Sequence, residues 1–116
     1  MSETGWLDWF DIFVRDKCQC VYCGLDGSTN LHAWRNLWID HLIPIQAGGD
    51  ESAGNRVVAC NACNLTKRTY DPRDGQSGLA MLEAESRRKE LIERAQMHIE
   101  SKGPRKVEEH NFRLIL

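Results

Sequence analysis

Apolar residues near the start recur at helical spacing: Trp6, Leu7, Phe10, Phe13 and Val14. That period predicts a helix over residues 5–15, with Thr4 placed to cap it and the apolar residues facing the core. From His32 to Ile45 the pattern changes. Trp34, Leu37, Trp38, Ile39, Leu42 and Ile43 favour strands, and Pro44 followed by Gly48-Gly49-Asp50 breaks the run into a loop. Arg56-Val57-Val58-Ala59 reads as a short second strand. Helical residues resume at Asn61 and continue to about Thr69, where Asp71-Pro72-Arg73-Asp74-Gly75 stops them.

Residues 77–101 read as one long helix, with Leu79, Leu82, Leu91, Ile92, Ala95 and Ile99 apolar and a nearly all-charged middle. Gly103-Pro104 is expected to end it. The tail from Asn111 to Leu116 is apolar enough to dock back on the domain. There is no internal repeat and no low-complexity tract.

A length of 116 residues suits a single domain. A chain of this size buries roughly two-thirds of its unfolded surface, so a metal staple adds usefully to a modest core. No apolar run is long enough for a membrane helix. The opening Met-Ser-Glu-Thr-Gly has neither a basic nor an apolar leader region, which predicts a cytoplasmic protein. The net charge of −2 gives no whole-chain nucleic-acid signature. Its distribution is uneven: residues 1–55 hold three basic and eight acidic side chains, a net of −5, and residues 56–116 hold twelve and nine, a net of +3. A nucleic-acid face is therefore expected in the second half.

In a reducing compartment, paired Cys-x-x-Cys motifs bind metal more often than they form disulfides. Four of the five cysteines form two such pairs, Cys20/Cys23 and Cys60/Cys63. Together they supply the four ligands of a tetrahedral structural Zn²⁺ site. Gly24 after the first pair lets the backbone turn so that amides point at sulfur. Asn61 stands between the second pair and is placed to serve the sulfurs through its amide. Cys18 is left as a bystander. A redox dithiol and an iron site of rubredoxin type are the alternatives, although the second pair is followed by Asn64 where such an iron site normally has Gly.

Between the pairs stand Asp40-His41 and then Asn55; Asn64 follows Cys63 directly. An aspartate is the hard oxygen ligand that Mg²⁺ or Mn²⁺ takes, and a histidine titrating near about 6.5 suits proton transfer at neutral pH. Adjacent strand residues point to opposite faces, so a bulge or bend is expected if Asp40 and His41 are to converge.

The run Ile39-Asp40-His41-Leu42-Ile43-Pro44, then Gly48-Gly49-Asp50, then Asn55 through Lys67, resembles the HNH nuclease motif. The core of the match is residues 39–67, reaching back to about residue 6 with the first knuckle and the Trp-rich helix. The resemblance implies an α+β fold: a small zinc-stapled ββα-metal core at about residues 18–70, flanked by an N-terminal helix and a long C-terminal helix. It implies that His41 is the general base and that Asn55 ties the loop and orients it. Asp40 and Asn64 would hold a catalytic Mg²⁺ or Mn²⁺. Asn64 stands where many members have His, which implies a weaker site. Lys67 resembles the basic residue that meets the substrate phosphate, with Arg68 and Arg56 as possible helpers. The implied partner is DNA, the implied activity endonucleolytic, most simply nicking by a monomer. A zinc-stapled nucleic-acid-binding module without activity is the other reading. His32, His98 and His110 have no motif context, and Arg87, Arg88 and Lys89 are either a phosphate-binding face or a solvated one.

Overall fold

The computed structural model describes residues 5–73 and 86–115, with side chains at 9–73 and 86–102. The expected Thr4 cap, residues 77–85 of the long helix, the tail end at Leu116 and the side chains of Trp6, Leu7 and His110 lie outside what is described. Among the described residues, four helices and a two-stranded sheet follow in the order α1 (Gly5–Arg15), α2 (Leu31–Arg35), β1 (Leu37–His41), β2 (Arg56–Cys60), α3 (Asn61–Lys67) and α4 (Arg88–Ile115). The expected α+β class holds.

β1 and β2 pair antiparallel, from Leu37 opposite Cys60 to His41 opposite Arg56. The connection carries two short 3₁₀ turns, Ile45–Ala47 and Ala53–Asn55. Gly48 ends the first turn at φ +97°, a conformation that favours glycine. Gly49 is held to glycine by space: an added Cβ would lie 1.8 Å from the Ile43 carbonyl oxygen.

The core gathers Ile12, Leu37, Leu42, Ile43, Val57, Val58 and Ala59 with Leu91, Ala95 and Ile99 of α4. α4 packs on α3, so the long helix covers the back of the ββα unit. The C-terminal end of α1 is fastened to β2 by polar contacts. Asp16 accepts from the Val58 amide at 2.9 Å and pairs with Arg88 of α4 at 3.1 Å. Arg15 donates to the Ala53 carbonyl at 2.7 Å and also to that of Arg56.

Three expectations are corrected. Residues 31–35 are helix, because Asn30 caps the Ala33 amide through its side chain at 2.9 Å, a local signal that outweighs the strand-like apolar pattern. Among the described side chains of α1 the buried residue is Ile12, while Phe10 and Val14 are 54% and 62% exposed. Phe13 is only half-buried and meets Trp9 and Trp34 edge-on or tilted, each at 5.3 Å between ring centres. Finally, Gly103-Pro104 does not end the long helix, which runs on to Ile115. A proline costs a helix one backbone hydrogen bond and a clash, yet the helix is continuous through Gly103 and Pro104.

Candidate active site

The two knuckles come together as the spacing requires. The sulfur atoms of Cys20, Cys23, Cys60 and Cys63 all lie within 4.8 Å of one another, and Cys18 stands outside the group. The sulfurs of Cys23 and Cys60 are 3.7 Å apart. A tetrahedron with Zn–S bonds of about 2.3 Å has edges of about 3.8 Å, so the donor set fits zinc. Gly24 adopts φ +83° and donates to the Cys20 carbonyl at 2.8 Å, closing the first knuckle. The amides nearest sulfur are those of Cys23 and Cys63, 3.5 and 3.4 Å from Cys20 and Cys60. The Asn61 amide instead donates to the Asn36 carbonyl, 2.8 Å away. Thiols this close cannot ionise independently. Hydrogen bonds from Cys60 and Cys63 pull the Cys20 thiol far down, and Cys20 and Cys60 in turn push the Cys63 thiol up. Negative charge on four sulfurs this close is unfavourable unless a divalent cation sits among them.

Asp40 lies near the end of β1 and is 7% exposed. Its Oδ2 accepts from the Tyr22 hydroxyl at 2.7 Å and lies 3.2 Å from the Lys67 ammonium. Among the described residues nothing reaches Oδ1. Burial and the neighbouring Asp40 charge hold the Tyr22 hydroxyl well above its ordinary range, so it stays a donor. Burial lowers the Lys67 pKa, and Asp40 works against that. A buried carboxylate with one oxygen clamped and one unengaged fits a hard divalent cation.

His41 is half-buried, with Nε2 2.8 Å from the Glu51 carboxylate. Its Nδ1 meets no partner among the described residues. Asn55 is 2% exposed. It accepts from the Ile43 amide at 2.8 Å and donates to the carbonyls of Ile43 and Asp50 at 3.0 and 2.9 Å. It thus closes the loop between the strands. Asn64 is half-buried on α3. It stands one turn before Lys67 and so shares that residue's face of the helix, which reaches the end of β1.

The pairing of β1 with β2 stays in register through Asp40 and His41, so there is no bulge between them, and the chain bends just beyond, at Leu42 and Ile43. The carboxylate turns inward to Tyr22 and Lys67, and the imidazole faces Glu51. Lys67, expected to meet phosphate, is 1% exposed, and its ammonium is taken up by Asp40 and by the His41 carbonyl at 3.0 Å. Arg68, at the end of α3, is exposed; Arg56 is half-buried. Sequence reasoning missed Tyr22 and Glu51. Tyr22 had a signal, its place between two zinc-ligand cysteines. Glu51 had none beyond its place after Gly48-Gly49-Asp50.

Residues 18–69 match the family model of the HNH endonucleases, to which that part of the chain is similar. No curated protein and no solved structure matches the chain. The match supports a nuclease or nucleic-acid-related reading in general. No helix among the described residues is long and apolar enough to cross a membrane.

Proposed function

We propose that this chain is a metal-dependent DNA endonuclease that hydrolyses phosphodiester bonds. One observation carries the reading: in the matched domain, a buried carboxylate with a single unengaged oxygen is followed directly by an imidazole with a single unengaged nitrogen. Asp40 and Asn64 would hold Mg²⁺ or Mn²⁺, with water and substrate phosphate completing the coordination. When bound, the cation polarises the phosphate and stabilises charge on the leaving oxygen.

His41 takes a proton from water through Nδ1 as the water oxygen attacks phosphorus in line. The bond from phosphorus to the 3′-oxygen breaks, the leaving oxygen takes a proton from solvent, and the ends are 5′-phosphate and 3′-hydroxyl. Proton transfer by a placed side chain contributes about 10²–10⁴-fold. Glu51 engages Nε2, which directs Nδ1 to the reaction. Asn55 holds the loop that carries Glu51, and Arg68 and Arg56 contribute positive charge toward the DNA backbone. One site per monomer gives nicks.

The test is supercoiled plasmid incubated with Mg²⁺ or Mn²⁺, with EDTA, and with the His41→Ala variant. Nicked product is expected only from wild-type protein with the cation. Indistinguishable lanes would leave a zinc-stapled nucleic-acid-binding module without activity as the better description.

A further inference from the structure

Tyr22 and Lys67 converge on one atom. The Tyr22 hydroxyl donates to Asp40 Oδ2 at 2.7 Å, and the Lys67 ammonium lies 3.2 Å from the same oxygen. All three residues are buried, at 5%, 1% and 7% exposure for Tyr22, Lys67 and Asp40. The mounting of the two clamps is the informative part. Tyr22 lies inside the first knuckle, between Cys20 and Cys23; Lys67 lies one turn past Cys63 on the helix that the second knuckle begins. Each half of the four-cysteine cluster therefore presents one group to the same carboxylate oxygen.

A carboxylate held by neither group is able to rotate and offer a cation either oxygen or both. With Oδ2 engaged twice, only Oδ1 is presented, in one orientation, so less ordering is needed when a cation arrives. The two clamps differ in charge. Tyr22 is a neutral donor and supplies orientation. Lys67 is also a cation and opposes a second positive charge at Asp40.

We propose that Tyr22 and Lys67 are positioning residues through which the four-cysteine site sets the orientation of Asp40, reserving Oδ1 for a divalent cation. This rests on the nuclease reading above. It extends that reading by coupling the structural metal to the catalytic one: loss of zinc frees both clamps at once.

The test is calorimetric titration of Mn²⁺ into the zinc-loaded full chain, with zinc content measured alongside. Tyr22→Phe keeps the ring and removes the hydroxyl; it is expected to retain zinc and bind Mn²⁺ about tenfold more weakly, as partners of ligating groups generally require. Lys67→Met removes the charge and is expected to bind Mn²⁺ more tightly than wild type. A merely structural role would weaken both variants alike or leave both unchanged, and either result overturns the inference. If Tyr22→Phe fails to fold, the sign of the Lys67→Met change decides. Asp40→Asn separates the two levels of the reading. Wild-type affinity that depends on Asp40 but not on Tyr22 sinks the coupling alone. A wild-type protein that binds no Mn²⁺ sinks the metal-dependent nuclease reading and the coupling with it.

Discussion

Asn55 grips the backbone of Ile43 from both sides, its Oδ1 accepting from the Ile43 amide at 2.8 Å and its Nδ2 donating to the Ile43 carbonyl at 3.0 Å. Both residues are essentially out of water, at 2% and 0% exposure. Asn55→Ala would leave two backbone groups of Ile43 without partners. Each such orphan costs about 1–3 kcal/mol, so a loss of about 2–6 kcal/mol in urea unfolding is expected. Asn55→Asp keeps the acceptor but sets a carboxylate against two carbonyls, and should be no better tolerated.

Asp40 serves the fold as well as the chemistry. Asp40→Ala strands the buried Lys67 ammonium, and breaking a buried pair costs roughly 3–5 kcal/mol. Asp40→Asn retains an acceptor for Tyr22 and should unfold nearer to wild type while losing plasmid nicking. Comparing denaturation with cleavage for the two variants separates the roles. Equal stability in both would contradict the buried pair.

The burial of Lys67 makes a prediction about salt. A residue that meets phosphate reduces the slope of log affinity against log salt by about 0.9 when removed. Lys67→Gln should leave that slope unchanged, whereas Arg68→Gln should flatten it. Fluorescence titration of a DNA duplex at several salt concentrations reads both.

Chelation should unfold the domain, because binding at a four-thiolate zinc site supplies on the order of 10–16 kcal/mol to the folded state. Cys23→Ser should release zinc, and Cys18→Ser should keep one zinc per chain, measured by atomic emission. Zinc lost equally from both would contradict the four-sulfur grouping.

Much of this was legible in the chain. The Cys-x-x-Cys spacing fixes the zinc donors because two residues are the gap a knuckle turn needs, and Asp40-His41, Asn55 and Asn64 follow the motif order. The two strands and α3 were legible because turn residues bound each one. What was not legible is tertiary. Nothing local tells that a lysine one turn past Cys63 lies buried against β1 instead of facing solvent. Nor did periodicity choose the right face of α1: Ile12 lies about 160° round the helix from Phe10, outside the stripe that Phe10, Phe13 and Val14 form. The helix at 31–35 escaped because Leu31, Trp34 and Leu37 also suit a strand, and only the Asn30 side chain tips the balance.

Asp16 has an effect at the rim of the sheet. With the Val58 amide given to its carboxylate and the Val58 carbonyl accepting from Val21 at 2.9 Å, the free side of β2 has no open donor–acceptor pair at its centre. A stray extended segment finds no template there, so the sheet is shielded against growing by addition on the β2 side.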